Sequence, residues 1–262
     1  MADGPLVSVV IPCYNEAGNI VPLARRVREV FHTLDRYRYE CIFVDDGSTD
    51  DTQIAIEQAA LADPNVCALH LVRNAGQSAA LVAGLQHARG DLILTLDGDL
   101  QNDPADFPRF LECLESCDCV CGYRAARQDR WIRRFSSRVA NAVRNRILHD
   151  GVRDSGCGAK GFHRKCIAAV IPFNGVHRFL PALLRNAGFN IVECPVTHHP
   201  RIHGVSKYGL HNRLWRGLYD LAGVAWLLRR TLYPQARGRI LTGQPKPCAP
   251  PSIVNKESRI VN

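Results

Sequence analysis

Leu6-Val7-Ser8-Val9-Val10-Ile11-Pro12 runs straight into Cys13-Tyr14-Asn15-Glu16, so an almost unbroken β-branched stretch gives way to a polar one in a single step. A short apolar run that ends at proline is the pattern of a strand buried on both faces. Downstream, Ile20, Leu23, Ala24, Val27, Val30, Phe31 and Leu34 recur at helical spacing, with Asn19 placed to cap that helix. The alternation then repeats. Strands are predicted at Tyr39–Val44, Cys67–Val72, Leu92–Leu96 and Asp118–Cys121, and helices at Thr52–Leu61, Gln77–Ala88 (with Gly90 in its C-cap region) and Pro104–Leu114. Strands that alternate with helices of this length build βαβ units, hence an α/β fold with a mostly parallel sheet flanked by helices. Ligands of such sheets bind beyond the carboxyl ends of the strands. The polar motifs fall at those ends: Tyr14-Asn15-Glu16 after the first strand, Asp45-Asp46-Gly47-Ser48 after the second and Asp97-Gly98-Asp99 after the fourth.

The rest of the chain is less regular. A basic helix is expected over Gln128–Leu148, a strand at Gly158–Phe162, part of a helix at Pro181–Ala187 and another strand at Phe189–Pro195. A basic loop follows at His198–Tyr208, then an amphipathic helix at Leu210–Arg229. The expected organisation is a main domain over 1–209, a helix over 210–233 that packs on it or lies along a membrane, and a Pro-rich disordered tail over 234–262.

Composition narrows the class. Hydrophobic residues make up 46% of the 262 and charged residues 22%, which excludes a fully disordered or fibrous chain. Lys plus Arg number 33 against 25 Asp plus Glu, a formal charge of +8, so the partner is expected to be anionic: nucleic acid, phosphate or an acidic membrane surface. No apolar run is long enough for a transmembrane helix. The first residues lack the charge and apolar stretch of a secretion signal, and the 11 cysteines read as reduced thiols, so a cytoplasmic location is expected.

Asp97 and Asp99 stand two residues apart at a strand end, where both can face one side, with Gly98 allowing the backbone to turn between them. Hard carboxylate oxygens suit Mg²⁺ or Mn²⁺, which need only one or two protein carboxylates beside substrate phosphates. Gln101 follows at the same alternation and can add a third oxygen. An acidic turn with no ligand is the plain alternative. At the second motif, a carboxylate can accept from a ribose hydroxyl or a base N–H, while Ser48, Thr49 and Asp50 also serve the start of a helix.

VSVVIPCYNE (Val7 to Glu16), VDDGSTDDT (Val44 to Thr52), RNAGQSAAL (Arg73 to Leu81) and LDGDLQNDP (Leu96 to Pro104) stand in one order and spacing. In these four motifs the chain resembles glycosyltransferase family 2, in particular its polyprenyl-phosphate branch typified by dolichyl-phosphate mannosyltransferases, over about residues 6–230. The resemblance implies a GT-A fold, a UDP- or GDP-linked sugar donor, Mg²⁺ or Mn²⁺, and inversion at the anomeric carbon. It implies that Pro12, Tyr14 and Glu16 line the nucleotide pocket, with Val44 and Asp46 at base and ribose. It implies that Asp97, Gly98 and Asp99 hold nucleotide and metal, that Gln101 completes the metal shell, and that Arg201 and Lys207 in RIHGVSKYG close over the diphosphate. Arg124, in Gly122-Tyr123-Arg124, matches the family's Gly-x-Arg.

Eight arginines from Arg124 to Arg146, among them Arg144, stand against Asp129 alone, where related enzymes bind the acceptor's phosphate; Arg133 and Ser137 are the residues expected there with Arg124. A polyprenyl phosphate at a membrane surface, met peripherally, is the expected acceptor. Its phosphate is largely a dianion at pH 7 and needs positioning rather than deprotonation. A hydroxyl acceptor on a glycan needs a general base, and Asp154 in DSGCGAKGF is the carboxylate placed for it. Besides these two acceptors, a non-catalytic nucleotide-sugar-binding module is the third reading. Nucleic acid is not expected, because it would leave the acidic motifs unexplained.

Overall fold

The structure, a computed structural model, describes residues 4–125, 141–200 and 210–233, with side chains in the last segment from 217 onward. Its sheet has seven strands: β1 (Leu6–Cys13), β2 (Arg38–Asp45), β3 (Val66–His70), β4 (Leu92–Thr95), β5 (Cys119–Arg124), β6 (Lys160–His163) and β7 (Ile191–Val196). Their order is β3-β2-β1-β4-β6-β5-β7. β3, β2, β1 and β4 are mutually parallel, as are β5 and β7, while β6 runs antiparallel between β4 and β5.

β1 lies inside the sheet between β2 and β4, and its interior is buried on both faces, as its apolar run requires. Val7, Val9, Ile11 and Cys13 point to one side. There they meet Ile20, Leu23, Val27 and Phe31 of α1 (Ala17–His32), Ile56 and Ala59 of α2 (Thr52–Ala62), and Phe107, Phe110 and Leu111 of α4 (Phe107–Leu114). Val10 points to the other side, against α3 (Gln77–His87), where Gly84 lets helix and strand approach so closely that a Cβ would strike the Val10 side chain. On α5 (Val176–Asn186), Phe179 and Ala182 cluster with Leu148 and with Leu221 and Val224 of α6 (Leu210–Arg230). Among the described residues no helix is long and apolar enough to cross a membrane.

Several local expectations shift. Asn19 does not cap α1; it lies buried inside the helix, and its Nδ2 donates to Glu16 Oε2 at 2.6 Å from the true N-cap residue. The helix expected over Pro104–Leu114 begins as a 3₁₀ turn at Pro104–Asp106. β3 ends at His70, and Val72 is fully exposed. α5 starts five residues before Pro181, which fits inside its first turns. Gly90 is not the C-cap of α3, a place held by Ala88. It is glycine because a Cβ there would lie 2.6 Å from the Ser8 nitrogen. Ser8 itself donates to Glu40 Oε1 at 2.6 Å and accepts from the Gly90 N–H at 2.7 Å, and Arg89 grips the same Glu40. This polar knot closes the amino end of the sheet, opposite the motifs. All cysteines among the described residues are free thiols.

Candidate active site

The parallel strands β1, β2 and β4 end side by side, and their loops form one wall. Asn15 takes a left-handed φ of 54°, which turns its backbone N–H onto Ser48 Oγ at 2.9 Å while its Oδ1 accepts from the Thr49 N–H at 2.8 Å. The Glu16 N–H donates to Thr52 Oγ1 at 2.8 Å. Tyr14 and Glu16 are thereby carried, half-buried, on a loop fastened to the loop after β2. Val44 is fully buried in β2, and Pro12 sits at the end of β1 in register with it.

Asp46 has a more specific place. Its N–H donates to the Cys13 carbonyl at 2.8 Å. Its carboxylate accepts from the N–H groups of Ala75 at 2.8 Å and Gly76 at 2.9 Å, and from Asn74 Nδ2 at 3.2 Å. Burial raises its pKa, and the two backbone donors only partly oppose that. The Asp46 carboxylate thus folds the loop that precedes α3. The first residue of that helix, Gln77, reaches across to donate to Asp97 Oδ1 at 2.8 Å.

Asp97, Gly98 and Asp99 follow β4. Gly98 is required by close approach: a Cβ would lie 2.8 Å from Cys13 Sγ and 3.3 Å from the Pro12 carbonyl. Its φ is not among the positive ones, so turning is not its reason for being glycine. Asp99 is 7% exposed, and its Oδ1 accepts from the Gln101 N–H at 3.1 Å. Between them Leu100 holds a φ of 59°, a left-handed conformation uncommon for a branched residue and found at sites where the surroundings enforce it. The Gln101 carbonyl accepts from the His199 N–H at 2.8 Å, Asn102 bridges to His198, and His199 Nε2 lies 2.9 Å from Asp103 Oδ2. The segment after β7 therefore docks on the acidic loop. Burial raises the Asp103 pKa, but the Ala105 N–H and His199 outweigh it and leave the net shift downward.

Two carboxylates, one of them mostly buried and both on a loop pinned from two sides, make a hard-oxygen donor set that fits Mg²⁺ or Mn²⁺. Among the described residues no three of His, Cys, Asp and Glu converge.

A second wall comes from the chain's other half. Arg124, at the end of β5, binds Asp154 through Nε to Oδ2 at 2.7 Å and Nη2 to Oδ1 at 3.0 Å. Burial works against the Arg124 charge, but the hydrogen bonds and charge of Asp154 more than offset this and raise its pKa. Arg144 belongs to the arginine run that the resemblance places at the acceptor's phosphate. It is instead buried, pairs with Asp150 at 2.8 Å, and also binds the Val152 carbonyl and Ser155 Oγ. That knot shapes the loop presenting Asp154. Gly158 lies flat against Asp97, where a Cβ would run into the carboxylate. A cavity of about 130 Å³ opens here, lined by Pro12, Gln77, Asp97, Lys160, His177 and Arg178 among others. Arg133, Ser137, Arg201 and Lys207 lie outside the described residues.

Sequence reading missed Gln77, Asp150, Gly158, Lys160 and His177. Gln77, Gly158 and Lys160 all sit inside quoted motifs.

Residues 8–170 match the family described as Glycosyl transferase family 2. The chain is 39% identical over 217 residues to an undecaprenyl-phosphate 4-deoxy-4-formamido-L-arabinose transferase of Edwardsiella ictaluri, covering 82% of this chain and 66% of that protein. It is 39% identical over 234 residues to a dodecaprenyl-phosphate galacturonate synthase of Rhizobium johnstonii, covering 87% and 69%. This chain thus spans about two thirds of the length of such relatives. Among solved structures, glucosyl-3-phosphoglycerate synthase of Mycobacterium tuberculosis with Mg²⁺ and UDP superposes with a TM-score of 0.64 at 18% identity, over 84% of this chain and 80% of that one. The GT-A fold anticipated from the motifs is the fold observed. With a family match over more than half its length, this chain belongs to glycosyl transferase family 2, in the company of polyprenyl-phosphate glycosyltransferases.

Proposed function

We propose that this chain transfers a sugar from a UDP- or GDP-linked donor to a polyprenyl phosphate, with inversion at the anomeric carbon. The names of the relatives support the acceptor, since both are named for a polyprenyl phosphate. The observation that carries the reading is the state of Asp154. A carboxylate held by both arms of a guanidinium is a poor proton acceptor, because the cation stabilises its charged form. A hydroxyl acceptor needs a base at this place, and a phosphate acceptor does not. Asp154 then orients Arg124, which with Arg133 and Ser137 takes the acceptor's phosphate.

In this reading Asp97 and Asp99, with Gln101, hold Mg²⁺ or Mn²⁺, which when bound balances the charge of the leaving nucleoside diphosphate. Gln77 fixes the rotamer of Asp97, and the Asp46-bound loop fixes Gln77. Tyr14 and Glu16 line the nucleotide side. Arg201 and Lys207 close over the diphosphate. The lipid phosphate oxygen attacks the anomeric carbon in line, and no proton need be removed from it. The reaction takes place at the cytoplasmic face of a membrane, which the basic chain meets peripherally.

The test mixes purified protein, Mn²⁺, undecaprenyl phosphate and a panel of radiolabelled UDP- and GDP-sugars, and counts label extracted into organic solvent. Label from one donor, lost in Asp99→Ala, is the expected result. Label that appears only on a water-soluble glycan overturns the lipid-phosphate reading, and no transfer from any donor returns the binding module as the better account.

A further inference from the structure

Lys160 opens β6 with its side chain in the interior; the residue is 4% exposed and lines the cavity beneath Asp97. Its Nζ donates to the Cys157 carbonyl, and among the described residues no carboxylate pairs with it. An ammonium carries three donors, and burying one without a counter-charge costs several kcal/mol. Its strand neighbours offer little. Thr95, opposite it on β4, spends its hydroxyl on the Gly158 carbonyl at 2.7 Å, and Cys121 faces it from β5.

The other walls of the cavity are rich in donors too. Arg178 is paired with Asp220 at 2.8 Å, yet its Nε is buried with no hydrogen-bond partner. His177 Nδ1 lies 2.8 Å from Ser78 Oγ, which accepts from the Gly175 N–H at 2.8 Å. The ring is kept neutral by burial first, and then by the nearby Arg178 and Lys160, which push its pKa down to about 3. The one carboxylate of the lining, Asp97, already accepts from Gln77. The lining thus carries two cationic side chains, Lys160 and Arg178, against one carboxylate, which the reading above gives to the metal.

The place of the cavity says which substrate brings a second anion. It opens between Pro12 at the end of β1, Asp97 at the end of β4 and the start of β6, against the carboxylate that the reading above gives to the donor's metal. Resting on the donor site proposed above, we propose that Lys160, with Arg178 and His177, receives the carboxylate of a hexuronic acid, so that the donor is a nucleotide-linked hexuronate. A carboxylate presents two oxygens to these donors and supplies the missing charge. A neutral hexose presents a hydroxymethyl at the same carbon and leaves the ammonium uncompensated.

Matched donors test this: UDP-glucuronate against UDP-glucose, UDP-galacturonate against UDP-galactose and GDP-mannuronate against GDP-mannose, each with Mn²⁺ and undecaprenyl phosphate. The expected result is that one uronate exceeds its neutral twin in kcat/KM by about 30-fold or more, the scale of a hydrogen-bonded charge pair. Lys160→Met should raise the KM for that uronate and shrink the ratio at least tenfold, roughly, while Lys160→Arg keeps most of the preference. The ratio is taken within one preparation, so partial misfolding of a variant does not imitate the effect. Should a neutral twin be transferred as well as its uronate, this inference fails and the polyprenyl transferase reading stands. If Lys160→Met weakens undecaprenyl phosphate and not the donor, the anion belongs to the acceptor and the inference fails again. Absence of transfer from every donor sinks the underlying reading, and this one with it.

Discussion

Arg124 closes on Asp154 like a fork, with Nε 2.7 Å from Oδ2 and Nη2 3.0 Å from Oδ1. Both side chains are mostly buried, so removing one partner strands the other's charge. Asp154→Asn should therefore destabilise the fold by about 2 kcal/mol, and adding Arg124→Met should restore a good part of that. A denaturant double-mutant cycle measures it. Were Asp154 a general base instead, Asp154→Asn would remove turnover with stability unchanged, and the two substitutions would add.

Gly158 presses on Asp97 with no room for a methyl group. Gly158→Ala should push the carboxylate off its line with Gln77 and lower kcat/KM about 100-fold, since displacements on the scale of an ångström cost that much. Unfolding should shift by only about 1–3 kcal/mol. Steady-state kinetics beside Mn²⁺ binding will separate the two: unchanged Mn²⁺ affinity with full activity would remove Asp97 from the site.

The Asp46 carboxylate collects N–H groups from Ala75 and Gly76. In Asp46→Asn one acceptor oxygen is replaced by a donor that faces them. Amide exchange at residues 75 and 76 should speed up by on the order of tenfold or more, the effect of losing about 1.5–3 kcal/mol of charged hydrogen bonding. Donor KM should rise in parallel through Gln77. Exchange as slow as in the parent, with donor binding lost, would mean that Asp46 acts on the nucleotide directly.

His177 is neutral when folded and has a pKa near 3, against about 6.5 for an unfolded histidine. Between those values the unfolded chain binds a proton and the folded chain does not. Stability is therefore fully present above pH 6.5 and falls as the pH drops towards 3, by up to about 1.4 kcal/mol per unit from this residue. Urea midpoints at pH 7, 6, 5 and 4 should fall less steeply in His177→Gln. Equal slopes in the two proteins would show that burial does not hold this ring neutral.

The nucleotide half of the site was readable because local chemistry encodes it. β1, β2 and β4 are runs whose period and polarity identify strands, and the motifs follow them in sequence. The second wall was not readable in the same way. The strand expected at Gly158–Phe162 is there as Lys160–His163, but nothing local says that it runs backwards between β4 and β5. Arg144 looked like one more arginine of the acceptor-side run because its partner Asp150 lies beyond the end of the helical segment, and only the tertiary fold buries the pair. Glycine at 98 and 90 was visible, but its reason was a neighbour distant in sequence rather than a turn.

The reversed strand also dictates an order of assembly. β5 is made before β6 but lies outside it, so it has no place on the sheet until β6 has paired with β4 across some seventy residues of chain. Until then β4 is a bare edge of a four-stranded sheet whose other strands all precede it in the chain. Long-range closure of this kind is slow, and an open edge invites pairing with another chain. A nascent or truncated chain that stops short of His163 would therefore expose a sticky edge and leave β5 adrift. For this protein the brief window between synthesis of β4 and arrival of β6 is the hazard that a chaperone would have to cover.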